Sequence, residues 1–204
     1  MAIVTGASKG IGKSIARGLA ESGARVVVSS RNLEAVKAVA GEFREAGLDA
    51  IGLQCHVGNG PGREALIKDT LSHYGRIDIL VNNAAINPYY GPLEGSEEAV
   101  FDKIMEVNVK APWMLSNLVL PHMKAKGGGS IINISSVEGI RPGFGLGLYS
   151  ATKAALIMLT KNQAKEWGRH GVRANVVCPG LVKTKFSQGL WSDETLVKHF
   201  TKAL

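Results

Sequence analysis

Three residues of this chain are suited to moving a proton together: Ser136, Tyr149 and Lys153. In the stretch YSATK the i, i+4 spacing puts the phenol of Tyr149 and the ammonium of Lys153 on one helix face, a turn apart. An ammonium beside a phenol stabilises the phenolate and lowers its pKa, moving a weak acid toward useful proton transfer near neutral pH. The run INISSVEG puts Ser136 just past the end of a candidate strand, where its hydroxyl can hold and polarise a substrate oxygen. Tyr149 would give or take that oxygen's proton. No side chain can supply a hydride, so redox chemistry at such a site needs a nicotinamide. A Tyr-x-x-x-Lys pair alone arises by chance on many helices, and its meaning depends on what else the chain carries.

A second cluster, VTGASKGIGKSIARGLA at 4–20, offers two ways to bind phosphate. Counted from Gly6 it reads G-x-x-x-G-x-G through Gly10 and Gly12, a turn shaped for a dinucleotide pyrophosphate. Counted from Ala7 it reads A-x-x-x-x-G-K-S, one residue away from the loop that grips a nucleoside triphosphate. In both, backbone N–H groups at the start of the next helix face phosphate oxygens. The triphosphate reading also needs a glycine in place of Ala7, a free Lys13 and a strand ending in an aspartate for magnesium. The one strand-borne candidate, Asp78, begins its strand and so lies at the wrong edge of the sheet. The dinucleotide reading predicts a selecting residue at the end of the second strand, where VVVSSRN supplies Ser30, Arg31 and Asn32 and no carboxylate. A guanidinium there suits a ribose 2′-phosphate, and Lys9 inside the glycine loop adds a second cation. The pair points to NADP(H) over NAD(H).

The elements that must position these groups are legible as alternation. Apolar runs rich in Val and Ile predict strands at 2–5, 24–30, 49–55, 77–82, 130–135 and 172–178, and helical periodicity fills 11–22, 33–46, 61–74, 97–124 and 149–168. Strands apolar on both faces, each followed by a helix, predict a doubly wound α/β Rossmann fold with a parallel sheet covered on both sides. Ligands of such folds sit at the carboxyl ends of the strands. At 204 residues, with 45% hydrophobic and 20% charged, the chain suits one domain with a full core and is not disordered. It lacks a run long enough to span a bilayer and a signal-peptide pattern, so a cytoplasmic protein without membrane partners is expected. The net charge of +7 is interspersed with acids along helices, which argues against a nucleic-acid partner. Cys55 and Cys178 each close an apolar run and read as buried free thiols, and no cluster suggests a metal.

Glycine loop, cation pair, NNAA at 82–85, Asn108 in MEVNV, Ser136, Tyr149 and Lys153 follow one another in an order that resembles the short-chain dehydrogenase/reductase family. The resemblance runs over essentially all 204 residues and is carried by TGASKGIG, NNAA, ISS, YSATK and PGLVKT. It implies that Asn108 holds a water-linked proton relay, Ser136 orients a carbonyl, Tyr149 is the acid/base and Lys153 also binds the nicotinamide ribose. It implies cofactor contacts from Gly6, Ser8, Lys9, Gly10, Ile11, Gly12, Asn83, Ala84 and Ala85, and from Pro179, Gly180, Val182 and Thr184 at the nicotinamide end. Two positions depart from the family pattern. Ala85 stands where N-N-A-G has its glycine, and His56 in QCHVG replaces an acidic residue that would bind the adenine amine, leaving Val57 to pack on the ring. The family's last strand and helix have no counterpart. The expectation is therefore a single domain over 1–204, shortened at its C-terminus, with 184–203 as a substrate lid.

CHVG, NAAINPYYG and PGLVKTKFSQGLW are most similar to the family's member 4 group, NADPH-dependent carbonyl and retinal reductases of animals, and to its bacterial relatives. That similarity implies a hydrophobic ketone or aldehyde, with Asn87, Ser136, Phe144, Leu146 and Trp191 near it, and a homodimer or homotetramer. Tyr89, Tyr90 and Phe186 could join the lining or merely pack loops, while Glu138 and Arg141 could favour a polar substrate. A 3-oxoacyl thioester reductase shares all these motifs, and an impaired NADP-binding scaffold is the alternative from outside the enzymes.

Overall fold

A computed structural model describes residues 1–191 of the chain. The apolar runs form six strands: β1 (Ala2–Thr5), β2 (Val26–Ser30), β3 (Ala50–Gln54), β4 (Ile79–Asn82), β5 (Gly129–Ile134) and β6 (Val172–Val177). All pair in parallel in the order β3-β2-β1-β4-β5-β6. Between them lie α1 (Gly10–Glu21), α2 (Leu33–Glu45), α3 (Gly60–Tyr74), α4 (Glu98–Met105), α5 (Ala111–Ala125) and α6 (Gly147–Trp167), with a short α7 (Gln188–Trp191). This is the doubly wound Rossmann architecture. The winding direction reverses between β1 and β4, which opens a crevice above their carboxyl ends.

Alternation along the strands builds a core on each face of the sheet. Ile3 and Val27 join Leu66, Leu80, Leu115 and Ile131 on one side, while Val4, Val26 and Val28 join Val36, Phe43 and Val81 on the other. Last in the strand order among the described residues, β6 leaves Arg173, Asn175 and Val177 exposed. Cys55 is buried as expected, but Cys178, which follows that edge strand, is only half-buried, and both thiols are free.

The long helix expected over 97–124 is not one α-helix. Glu106–Lys110 forms a π segment between α4 and α5, with Asn108 at its middle. Pro112 lies four residues beyond Asn108 and has no N–H to return to that carbonyl, so a regular α ladder would fail there, and a wider turn carries the chain past the missing donor. Among the described residues no helix is long and apolar enough to cross a membrane, and no group of three or more His, Cys, Asp or Glu side chains could hold a metal ion.

Candidate active site

Above the crevice, the first turn after β1 is held open. Gly6 and Gly10 adopt φ of 63° and 57°, which side-chain-bearing residues rarely do. A Cβ at Gly12 would collide with the Gly6 carbonyl oxygen and the Asn83 side chain. The NNAA loop is stitched onto this turn: Asn83 donates from Nδ2 to the carbonyls of Thr5 (2.9 Å) and Gly6 (3.2 Å). The N–H groups of Asn83 and Ala84 reach Thr5 Oγ1 at 3.0 and 3.1 Å. Thr5 was invisible as a site residue in the sequence, though a polar residue closing an apolar strand before a glycine was its signal.

Helices α2 and α3 are capped at their start, where Asn32 Oδ1 accepts from Ala35 N–H (3.0 Å) and Asn59 Oδ1 from Gly62 N–H (3.3 Å). Helix α1 has no such side-chain cap. Its first N–H groups and its dipole face the crevice, the arrangement that receives phosphate. Lys13 does not: its Nζ is paired with Glu42 at 2.6 Å, which removes the cation that a triphosphate loop requires.

Lys9 and Arg31 are exposed and make no ion pair among the described residues. Ser30 Oγ stays beside the Asn32 backbone, so of the VVVSSRN set Arg31 alone extends a charge outward, while Asn32 caps its own helix. His56 Nδ1 accepts from Gly58 N–H (3.1 Å), which leaves Nε2 as the nitrogen that faces outward partners as a donor. An adenine amine is itself a donor, so with Nδ1 occupied His56 does not reproduce the acceptor that an acidic residue would offer. Val57 is buried and its carbonyl is held by Arg63, itself only 5% exposed and also paired with Glu106 at the start of the π segment.

The reacting groups lie past β5. Tyr149 has the Ser136 hydroxyl as hydrogen-bonding partner, and Lys153 Nζ sits 5.4 Å from the phenol ring centroid while donating to the Ile134 carbonyl at 2.8 Å. The spacing predicted a lysine that lowers the phenol's pKa, but burial dominates both groups. It pushes Tyr149 up to about 12, against the Ser136 hydrogen bond and with help from the Glu138 charge, and pushes Lys153 down to about 8. The phenol is thus protonated at neutral pH. Asn108 is buried with its side chain fully used: Oδ1 accepts from Ile86 N–H (2.9 Å) and Nδ2 donates to Ile86 O (2.9 Å) and Thr152 Oγ1 (3.1 Å). Thr152 in turn donates to the Tyr149 carbonyl at 2.7 Å, and Ser135 Oγ to the Lys153 carbonyl at 2.8 Å. Sequence reasoning passed over Thr152 and Ser135, although both stand inside the quoted YSATK and ISS runs.

The segment after β6 returns over the glycine loop. Pro179 accepts from Val137 N–H (3.0 Å), and a Cβ at Gly10 would lie 3.4 Å from Thr184 Cγ2, so Thr184 faces the pyrophosphate turn directly. Gly180 and Val182 are exposed beside them. An uncapped helix start, close-packed glycines, outward cations and an opposing threonine together fit a phosphorylated dinucleotide. Ser8, Ile11 and Ala85 are half-buried around the same crevice.

The expected substrate residues divide. Phe144 is 80% exposed, Asn87 half-buried, and the Phe186 ring lies 6.3 Å from that of Tyr149. Leu146, 4% exposed, belongs to the packing beneath. Tyr89 donates to the Pro92 carbonyl (2.8 Å) and folds its own loop, and Tyr90 lies against Gly145. Trp191 donates to the Thr184 carbonyl at 2.8 Å, pinning the returning segment. The rest of the expected lid, 192–203, lies outside the described residues.

Residues 1–195 match the family model for short chain dehydrogenase. The chain is 43% identical over all its 204 residues, and over 78% of the relative, to dehydrogenase/reductase SDR family member 4 of Oryctolagus cuniculus. It is 41% identical over 200 residues to the mitochondrial family member 2 of Homo sapiens, covering 98% of this chain and 71% of that one. Among solved structures, a gluconate 5-dehydrogenase from Burkholderia cenocepacia in complex with NADP and tartrate superimposes with a TM-score of 0.94 at 37% identity, covering 98% of this chain and 78% of the other. A putative NAD(P) dependent gluconate 5-dehydrogenase from Beutenbergia cavernae with bound NADP gives 0.92 at 34%, over 98% and 80% of the two chains.

Proposed function

The chain belongs to the short chain dehydrogenase family, and on that premise we propose that it is an NADP(H)-dependent oxidoreductase interconverting a hydrophobic ketone or aldehyde with its alcohol. The observation that carries the reading is the convergence of Ser136, Tyr149 and Lys153 opposite an uncapped, glycine-lined helix start with two outward cations. NADP(H), when bound, supplies or accepts the hydride. The glycine turn and α1 would hold its pyrophosphate, Arg31 and Lys9 its 2′-phosphate, and Pro179, Val182 and Thr184 its nicotinamide end.

Ser136 orients the substrate oxygen, and Tyr149, protonated at neutral pH, delivers a proton from its Oη as charge develops on that oxygen. Lys153 carries a positive charge below about pH 8 and restrains the phenol from the turn below. Asn108 acts through its fixed place in the π segment, where its side chain ties Ile86 to Thr152 in the turn that carries Tyr149. Exposed apolar side chains on the loops after β4, β5 and β6, namely Tyr90, Ile140, Phe144 and Phe186, each at least 50% exposed, favour a hydrophobic carbonyl. A sugar-acid substrate is the second reading, favoured by the likeness to gluconate 5-dehydrogenases.

Parallel fluorescence titrations with NADPH, NADH and ATP-Mg, followed by turnover of an aromatic dicarbonyl, a 3-oxoacyl thioester and gluconate, test the proposal. NADPH binding tighter than NADH, no ATP response and preferred reduction of the aromatic dicarbonyl are expected. Preference for NADH or ATP would overturn the cofactor assignment, and preferred turnover of gluconate or the thioester would overturn the substrate assignment. The same reading makes the protein a homodimer or homotetramer, supported by Phe101, Trp113 and Met158, 46%, 44% and 56% exposed on α4, α5 and α6. Light scattering at the monomer mass would contradict it.

A further inference from the structure

Beside the reacting groups lies a carboxylate with no part in the mechanism above. Glu138 is 8% exposed, and burying a carboxylate is costly unless it is hydrogen-bonded. Its Oε2 accepts from the Gly143 N–H at 2.6 Å and from Ser150 Oγ at 3.2 Å, while its own N–H donates to Ser136 Oγ at 3.1 Å. One residue therefore touches the serine that holds the substrate oxygen, the loop that carries Phe144, and the helical turn that carries Tyr149. Gly143 is shaped to this contact, since a Cβ there would come within 2.8 Å of Oε2 and 2.9 Å of Oε1. The restraint extends further: the Gly145 carbonyl accepts from Gly91 N–H at 3.0 Å, linking the loop to the segment that bears Asn87.

We propose that Glu138 is a positioning residue that clamps the 140–146 loop to the start of α6, fixing the substrate wall over Ser136 and Tyr149. The inference rests on the assignment of Tyr149 as acid/base. Its carboxylate also holds a negative charge near the phenol and so favours the protonated form. Among the described residues, the ionisable groups about that phenol are Glu138 from the loop after β5, Lys153 from α6 and, beyond Lys153, Cys178 from the end of β6. Because its acceptor oxygen is committed to Gly143 and Ser150, Glu138 acts on substrate through the loop.

The test compares Glu138→Ala and Glu138→Gln with the unmodified protein, measuring KM and kcat for the carbonyl, NADPH affinity by fluorescence, and the pH profile of alcohol oxidation. The alanine variant should raise KM for the carbonyl about tenfold or more while NADPH affinity holds, because both clamp hydrogen bonds are lost. Glutamine keeps an acceptor oxygen and should restore KM, yet without the charge it should shift the acid-side limb of the oxidation profile down by about one pH unit. Equal KM in all three proteins, or a glutamine variant with the parental pH profile, would overturn the proposal. So would a parallel loss of NADPH binding, which marks a merely structural role. If Tyr149→Phe in the same assays retains full turnover, the acid/base assignment itself has failed, and that outcome is distinct from any of these.

Discussion

The two sides of the crevice use polar groups in opposite ways. On the β1–β2 side they are left open: α1 has no cap, and Lys9 and Arg31 reach outward without ion pairs among the described residues. On the β5–α6 side they are closed on one another: Asn108, Ser136, Glu138 and Lys153 are all buried, and each has named hydrogen-bond partners. A surface that must grip a mobile polyanion keeps its donors free, whereas a surface that must aim a proton fixes each donor beforehand. Substitutions on the first side should therefore change cofactor affinity, and those on the second should spare it while changing the rate or the KM for the carbonyl.

Tyr149→Phe is the largest break on the closed side. Turnover should fall about 10²- to 10⁴-fold with NADPH binding unchanged in a fluorescence titration, and surviving activity would remove the phenol from the mechanism. Gly12→Ala attacks the open side at its tightest point. The added methyl meets Gly6 and Asn83, so NADPH binding should be lost and thermal stability should drop by about 1–3 kcal/mol, measured by denaturant titration. Arg31→Asp should weaken NADPH about 10- to 100-fold and improve NADH relative to it, with kcat at saturation little altered. An unchanged preference would mean that the open cations do not read the 2′-phosphate. The smallest effect concerns pH. Burial has lowered Lys153 to about 8 and raised Tyr149 to about 12, so between these values the lysine is neutral and the phenol still protonated. Reduction should hold level below pH 8 and decline as pH rises through it, and a rate that climbs there would show that the ammonium plays no part.

How much of this was legible beforehand follows the same division. The Val-rich strands, the helices and the glycine turn were predicted to within a few residues, because period and glycine placement are local properties. The Ser136, Tyr149 and Lys153 set was found through spacing on one helix and one strand end. What spacing could not supply was environment. The i, i+4 rule foresaw a lysine acidifying a phenol, but burial, which depends on β5, α6 and the returning segment together, moves both groups apart. Asn32 read as a cofactor residue because it follows the second strand, yet its side chain closes the N-terminus of α2. Leu146 and Tyr89 likewise stood on promising loops and turned out to pack them. The π segment was missed because a helical pattern runs through it, although Pro112 four residues after Asn108 was a visible signal.

That segment has a further consequence in terms of chain length. A π turn uses one residue more than an α turn would over the same span, so 106–110 behaves as a one-residue insertion held in place by the bonds of Asn108 to Ile86. Loss of a single codon there would remove the extra residue while α4 and α5 kept their mutual register, and with it the bulge that brings the Asn108 side chain to Ile86. Such a chain would keep its helix and lose its aim. The smallest in-frame deletion a gene can undergo would here separate folding from chemistry.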